Sequence, residues 1–441
     1  MPANSTSPRS PRPRPRVLFV AEAVTLAHIG RSSALAHALD PFRYDVHLAC
    51  DDRCRPFLGN VAMPIHSVRS VDPVAFAERL RNGDPIYTEE ELRAAVLEDL
   101  GVLGSLRPEA VVGDMRVSLG IAARVAGIPY ATVTNAHWSP WSRSRYVVPE
   151  LAIVDRLGPR LGQWLFDLLR PWACARQVLM FNRIRRDYGL PSIPPTLARL
   201  FTDADAVWYA DVPSLVPTPS RPSHHEYIGP ILWSPVEPSL LPEMLPRDRP
   251  MAYVSMGSSG AERHLTVVLK AVERLGYGAI VSTAGKLAPR NIPRFVHIRA
   301  FLPGLEAARV ADLVICNGGS PTVYQAMAAG VPVLGLPSNL DQYLMMEHVE
   351  RTGVGLAVRS GTAGVENVAQ AITTLLVDPR WRDSVRSVQA SIQLGAEQAR
   401  MQDLIDRLIG AGAMNSYLRA ERHERSAGGC IPQLASRDTS V

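Results

Sequence analysis

The pattern of apolar positions predicts strands that alternate with helices in the first half of the chain. Strands are predicted at residues 16–21, 44–49, 110–112 and 130–133, and the first of them is expected to be buried on both faces. Segments with apolar positions near helical spacing lie at residues 32–39, 89–106 and 118–126. This alternation indicates parallel βαβ units in a doubly wound α/β sheet.

The same alternation begins again after a proline-rich stretch. Strands are predicted at residues 251–255, 279–282, 296–298, 313–316 and 331–336, and helical segments at 320–329, 365–378 and 380–409. The predicted organisation is a disordered tail at 1–15, a first domain at 16–220, a linker at 221–249, a second domain at 250–390, a helix at 391–410 and a disordered tail at 411–441. The last helical region is a candidate to cross back to the first domain.

A glycine turn after one strand of the second half has the properties of an anion site. Asn317, Gly318 and Gly319 tolerate positive φ and allow a ligand to approach the backbone closely. Ser320 is the expected N-cap of the next helix, and Thr322 lies in its first turn. Because a helix N-terminus at the end of a parallel strand attracts anions, the expected ligand is a phosphate.

Charge and cysteine content argue against a nucleic-acid-binding protein and against a zinc protein. The net charge of +5 resides in the tails, because residues 1–16 carry four arginines and no acid, and residues 411–441 carry four arginines against three acids. The remaining residues sum to zero, so no nucleic-acid-binding face is expected. The five cysteines are scattered and lack the spacing of a zinc site, which favours reduced thiols and no metal.

The N-terminal residues lack the apolar core of a signal peptide, and no apolar run approaches the ~20 residues of a membrane span. We therefore expect a cytoplasmic protein.

The glycine turn and the loop after the following strand resemble the donor-binding motif of family 1 glycosyltransferases, H-G-G-x-N-S/T-x-x-E followed by D-Q. Gly318, Gly319 and Thr322 match the phosphate-binding positions of that motif. Asp341 and Gln342 match the pair that binds the sugar hydroxyls. The resemblance implies a nucleotide-sugar co-substrate, no other cofactor and the GT-B architecture of two facing Rossmann-like domains.

Three positions depart from the motif. Asn317 stands where the family has histidine, Pro321 where it has asparagine or glycine, and Gln325 where many members have a glutamate that binds the ribose. Asn317, Ser320 and Gln325 remain candidate donor-binding residues. The departures leave the donor open between UDP- and dTDP-sugars.

Two further segments match the donor half of the family. Gly257 and Ser258 follow a predicted strand and resemble the S-x-G-S/T loop. Phe301 and Leu302 occupy the place of W-V-P, where an aromatic ring stacks on the nucleobase. Packing of this phenylalanine in the core explains the residue equally well.

The segment LAHIGR after the first strand resembles the G-H-x-x-P segment of the family, whose histidine deprotonates the acceptor. His28 is the corresponding residue, predicted to lie in a loop, and its imidazole suits proton abstraction at neutral pH. Asp114, at another strand end, matches the aspartate that orients this base. Without the resemblance, a loop histidine and a strand-end aspartate would more often be a packing residue and a helix cap.

A strand-end loop at residues 135–145 combines aromatic and basic side chains. His137, Trp138, Trp141 and Arg143 are candidates to line an acceptor pocket, where the arginine could meet an anionic group. The alternative is a loop that its tryptophans anchor on the sheet. The sequence does not choose between the two.

An apolar and aromatic helical stretch at residues 160–186 is expected to be interrupted at Pro171 and ends with Arg183, Arg185 and Arg186. It is either an interfacial membrane patch or a packed pair of helices near the acceptor mouth. The first interpretation would bring the protein to the inner face of the membrane.

The predicted function is that of an inverting, metal-independent glycosyltransferase. It would move a hexose from a UDP- or dTDP-sugar to a hydroxyl of a small-molecule or lipid-like acceptor, as in natural-product or glycolipid biosynthesis. Two alternatives are a nucleotide-sugar epimerase of the same fold, which would need no acceptor pocket, and a non-catalytic partner protein. The presence of both His28 and Asp114 argues against the second.

Overall fold

The computed structural model describes residues 13–59, 61–235, 248–257, 262–287, 292–394 and 399–412. Most of both predicted tails lies outside these ranges, as do Ser258 and part of the predicted linker.

The first half of the described chain forms a parallel sheet with the strand order β3-β2-β1-β4-β5-β6-β7. Its strands are β1 (Arg16–Ala21), β2 (Asp45–Cys50), β3 (Ile65–Ser67), β4 (Ala110–Asp114), β5 (Tyr130–Thr134), β6 (Ala206–Tyr209) and β7 (His225–Tyr227). The order reverses direction between β1 and β4, so a crevice opens at their carboxyl ends. β7 belongs to this sheet although it falls within the predicted linker.

A second parallel sheet has the order β10-β9-β8-β11-β12-β13. Its strands are β8 (Met251–Ser255), β9 (Gly278–Ser282), β10 (Val296–Arg299), β11 (Leu313–Cys316), β12 (Val333–Gly335) and β13 (Gly355–Ala357). The chain again reverses direction between β8 and β11. Both sheets thus show the doubly wound topology that the alternating pattern predicts.

Helices cover both faces of each sheet and bury its apolar strands. In the first half they are α1 (Leu26–His37), α2 (Pro73–Asn82), α3 (Glu89–Leu106), α4 (Leu119–Ala126), α5 (Ala152–Asp187) and α6 (Leu197–Phe201). In the second half they are α7 (Glu262–Arg274), α8 (Gly304–Arg309), α9 (Ser320–Ala329), α10 (Leu340–Arg351), α11 (Val365–Val377) and α12 (Arg380–Gln389).

Residues 399–412 are helical and pack against the first sheet, which confirms the predicted crossing back. Ile405 shares an apolar cluster with Val17, and the hydroxyl of Tyr44 donates to Asp406 at 2.6 Å. An ion pair between Arg407 and Glu226 fixes the same helix to β7. The C-terminal end of the described chain is therefore packed against the first domain.

Two predictions about helices of the first domain are wrong. α1 begins at Leu26, so His28 lies in the first turn of a helix and not in a loop. α5 continues through Pro171 and is broken instead at Gly158, where φ is 74°. Pro171 is exposed, so water can solvate the carbonyl group that its missing N–H leaves unbonded.

Candidate active site

A cavity of about 520 Å³ lies between the carboxyl ends of the two sheets. Its walls contain His28 and Asp114 from the first domain, and Gly319, Gln325 and Asp341 from the second. The two groups of predicted residues, far apart in sequence, therefore face one shared space.

The predicted catalytic pair is in contact within this cavity. Nδ1 of His28 lies 2.8 Å from Oδ1 of Asp114, which is the last residue of β4 and is 1% exposed. The ionised carboxylate can only accept, so Nδ1 carries the hydrogen and Nε2 keeps its lone pair. The geometry is that of a general base whose tautomer is fixed by an aspartate.

Arg31 is a third member of this pair that the sequence analysis missed. Its Nε and one terminal nitrogen each donate to a different oxygen of Asp114, both at 2.5 Å. Burial alone would raise the pKa of Asp114, but the charge of Arg31 and the hydrogen bonds from Arg31 and His28 hold that pKa below its usual value. The sequence signal that could have identified Arg31 is its spacing from His28, because residues three apart share one face of a helix.

A buried polar network joins this pair to the second domain. Arg31 donates to Oδ1 of Asn135 at 3.2 Å, and Nδ2 of Asn135 donates to the hydroxyl of Ser320 at 2.9 Å. Asp211, which is fully buried, accepts from Asn135 and from the hydroxyl of Tyr324 at 2.8 Å. The network connects the His28–Asp114 pair to the first turn of α9.

The N-terminus of α9 provides the predicted anion site, with one correction. The N-cap is Gly319, and Ser320 is the first helical residue. Oδ1 of Asn317 accepts from the N–H of Gly319 at 3.1 Å and so shapes the turn. The helical ladder begins with the N–H of Val323, so the N–H groups of Ser320 and Thr322 have no acceptor within the helix.

Gln325 is positioned by a residue of the predicted linker. Its Nε2 donates to the carbonyl oxygen of Trp233 at 3.2 Å. The ring of Trp233 in turn lies against Gly30 in α1, where an added Cβ would stand 2.2 Å from it. The helix that carries the base and the predicted ribose-binding residue thus contact the same tryptophan.

Asp341 is held by residues of the other domain. Oδ1 of Asp341 accepts from Nε2 of His137 and from the indole N–H of Trp138, both at 2.8 Å. The side chain of Asp341 is 45% exposed, and its partial desolvation would raise its pKa, but these hydrogen bonds lower that pKa to about 2. The carboxylate is therefore ionised at neutral pH and is oriented toward the cavity that it lines.

Comparison with known proteins identifies the family of the chain. Residues 267–405 match the family described as Erythromycin biosynthesis protein CIII-like, C-terminal domain. A PGL/p-HBAD biosynthesis glycosyltransferase of Mycobacterium tuberculosis is 44% identical over 387 residues, which are 87% of this chain and 90% of the relative. The chain belongs to the family 1 glycosyltransferases.

A second relative agrees with that membership, and a solved structure agrees with the fold. A PGL/p-HBAD biosynthesis rhamnosyltransferase of Mycobacterium bovis is 43% identical over 372 residues, 84% of this chain and 83% of the relative. The solved structure of spinosyn rhamnosyltransferase SpnG complexed with thymidine diphosphate is 18% identical and covers 86% of this chain and 96% of that one, with a TM-score of 0.58. The predicted GT-B fold is confirmed.

In this glycosyltransferase, the remaining predicted donor residues differ in their surroundings. Gly257, with φ of 62°, and Phe301 line the cavity, and Phe301 also packs edge-on against Phe57 of the first domain at 5.6 Å. Leu302 lines the cavity but is almost fully buried in the core. Ser258 lies outside the described residues.

Two residues of the glycosyltransferase motif have clear structural contacts. At Gly318, where φ is 79°, an added Cβ would stand 2.6 Å from Cγ of Met346, so the turn packs directly on α10. Oε1 of Gln342 accepts from the backbone N–H of Ser338 at 2.8 Å and, in the capping box of α10, from the backbone N–H of Asn339 at 3.4 Å. Gln342 therefore helps to build the loop that carries Asp341 as well as lining the cavity.

The four predicted acceptor residues do not form one pocket. Trp138 lines the cavity, whereas His137 is buried beneath Asp341. Trp141 packs edge-on against His225 of β7 at 4.7 Å, and the exposed Arg143 accepts through its carbonyl group from Arg351. The interpretation of this loop as an anchored segment is correct for Trp141, and Arg143 does not face the cavity.

Part of the cavity wall is instead formed by α5, which the sequence analysis placed only near an acceptor mouth. Leu165, Phe166, Leu169 and Ala173 contribute an apolar wall, and Arg170 adds a guanidinium that lies 3.9 Å from the ring centre of Tyr146. Among the described residues, no group of three or more His, Cys, Asp or Glu side chains is placed to hold a metal ion.

Proposed function

We propose that this glycosyltransferase transfers a hexose, with inversion, from a UDP- or dTDP-sugar to a hydroxyl group of an apolar acceptor. The observation that supports the proposal best is the shared cavity, in which the His28–Asp114 pair faces the N-terminus of α9. A base on one side and an anion site on the other are what direct displacement at a sugar carbon requires.

His28 would act as the base. Nε2 takes the proton of the acceptor hydroxyl as the oxygen forms its bond to the anomeric carbon, and the bond to the diphosphate oxygen breaks. Asp114 keeps the imidazole in the required tautomer and stabilises its positive charge. Attack from the face opposite the leaving group gives inversion.

The turn at the start of α9 would bind the diphosphate. N–H groups of Ser320 and Thr322, together with the helix dipole, stabilise the charge that develops on the leaving group without a metal ion. Asp341 would accept a hydrogen bond from a sugar hydroxyl, because its carboxylate is ionised and lines the cavity.

The apolar wall that α5 contributes favours a lipid-like or aromatic acceptor over a strongly polar one. The names of the relatives, which refer to PGL/p-HBAD biosynthesis, are consistent with an acceptor of this type. Among the described residues, no helix is long and apolar enough to cross a membrane.

The decisive experiment is the replacement of the base. We expect His28→Ala to lower kcat by about 10²–10⁴ and to leave nucleotide affinity near that of the wild type, because α9 belongs to the other domain. The matched control is His37→Ala at the far end of the same helix, where the exposed imidazole contacts Ser33. Products from a panel of UDP- and dTDP-sugars with phenolic acceptors would be identified by mass spectrometry.

Equal turnover by wild type and His28→Ala would contradict the role of His28. Conversion of a nucleotide sugar into its epimer without acceptor would instead favour the epimerase. The anomeric configuration of the product, measured by nuclear magnetic resonance, tests inversion directly.

A further inference from the structure

One side of α5 exposes large apolar side chains to solvent. Trp164, Leu168 and Trp172 are 62%, 63% and 72% exposed, and Leu161 and Leu179 are about half exposed. These five residues recur at intervals of three, four, four and seven, so they form one stripe along the helix. We call them the α5 face.

Positive charge lies beside the α5 face. From residue 156 to residue 186 the sequence contains seven arginines and one acid, Asp167. Three of these arginines do not contribute to this face, because Arg170 lines the cavity, Arg183 pairs with Glu89 and Arg185 is buried against Asp203. Asp167 accepts from Gln163 and lies off the stripe by helical position. Arg160 and Arg176, which are exposed near the stripe, form no ion pair with any residue that the structure describes.

The opposite side of the same helix is the apolar wall of the cavity. Leu165 and Leu169 lie at the margin between the two sides, and Leu169 both lines the cavity and is half exposed. An apolar path therefore runs from the exposed stripe into the cavity. A molecule that left an apolar phase at the α5 face would reach the acceptor space without crossing a polar surface.

We propose that the α5 face binds the surface of an anionic lipid bilayer. Tryptophan and leucine side chains enter the boundary between headgroups and acyl chains, and the arginines pair with lipid phosphates. The choice of a lipid-like acceptor rests on the proposed function, whereas binding of the protein to the bilayer does not.

A second copy of the chain fits this surface less well. Two α5 faces in contact would bring their unpaired arginines together around an apolar centre, and like charges that are not compensated oppose such a contact. An anionic bilayer supplies both the apolar interior and the negative charge.

The test is cosedimentation of the full chain with two kinds of vesicle. One is pure phosphatidylcholine, and the other contains about 30% phosphatidylglycerol, which gives it an anionic surface. We expect binding to the anionic vesicles at low salt. Trp164→Ser combined with Trp172→Ser should reduce the partition coefficient by about thirtyfold, because both side chains leave the apolar boundary. Arg160→Gln combined with Arg176→Gln should reduce it by about 25-fold on anionic vesicles, at about fivefold for each arginine.

The matched control is Phe42→Ser, because Phe42 is 89% exposed and lies outside α5. It should bind vesicles like the wild type. Wild-type protein that stays in the supernatant at low salt, or a tryptophan variant that binds unchanged, would overturn the proposal. A dimer in size-exclusion chromatography that the tryptophan variant abolishes would show that a second copy is the occupant instead.

Measurements of transferase activity distinguish a failure of the membrane proposal from a failure of the proposed function. The residues changed here do not line the cavity, so each variant should keep the wild-type rate on an acceptor dissolved in detergent and lose rate only on an acceptor embedded in vesicles. Vesicle binding without any transferase activity would leave the lipid surface supported and would contradict the function.

Discussion

Asp114→Asn is expected to destabilise the fold as well as slow the reaction. In the wild type the carboxylate is 1% exposed and neutralises Arg31 through two hydrogen bonds of 2.5 Å. The amide of asparagine is neutral and can accept only through its single oxygen. Arg31, which is 11% exposed, would keep its charge without a compensating anion in contact.

Removal of one partner from a buried ion pair costs roughly 3–5 kcal/mol. For a domain of this size, 1 kcal/mol shifts Tm by about 2–4 °C, so Asp114→Asn should lower Tm by at least ~6 °C. Arg31→Met should have a similar cost, because it leaves the carboxylate with His28 alone. The double variant Arg31→Met/Asp114→Asn removes both charges and should recover much of the loss, which gives a coupling energy of about 2 kcal/mol or more.

The assay is thermal unfolding followed by circular dichroism on the wild type, both single variants and the double variant. A matched control is Asp52→Asn, which breaks an Asp–Arg pair with Arg55 on the surface and should leave Tm near the wild-type value. His28→Ala is a second control, since it leaves the pair between Arg31 and Asp114 intact. Additive effects of the two substitutions, or an unchanged Tm for Asp114→Asn, would refute the reasoning.

Two further predictions concern the donor site. Asn317→Ala removes the acceptor for the N–H of Gly319 and should raise the donor KM about fivefold. The control is Asn367→Ala, which removes a similar cap from α11 outside the cavity lining and should leave the donor KM unchanged. Equal KM values for both variants would make Asn317 only a turn residue. Gln325→Glu should raise the ratio of UDP to dTDP affinity in calorimetric titration. The reason is that a carboxylate cannot donate to the carbonyl group of Trp233 and accepts strongly from both ribose hydroxyls. An unchanged ratio would exclude ribose recognition by this residue.

The sequence by itself determined the elements whose signals are local. α3 spans residues 89–106 as predicted, because Thr88 and Glu91 form a capping box that defines its start. β11 ends at Cys316 as expected, and the two glycines and the proline after it mark the turn into α9. Each of these signals depends on neighbouring residues, whose chemistry can be seen directly in the chain.

Motifs in the sequence also indicated His28 and Asp114, but only the folded chain brought them to 2.8 Å across 86 positions of sequence. Arg31 lies three residues from His28, but the loop predicted there concealed that the two share a helix face. Nothing near Asp211 indicates that it bonds Tyr324 in the other domain. Such contacts depend on which strand ends become neighbours, and that is a property of the sheet order.

The tertiary structure alone also decided what covers each apolar surface. The pattern at residues 160–186 predicted a helix with apolar positions, and it left open whether another helix covers them. In the structure one side of α5 lines the cavity and the other exposes Trp164 and Trp172. Periodicity identifies the apolar side of a helix, but the partner that buries it is set by distant segments, because burial depends on the packing of the whole chain.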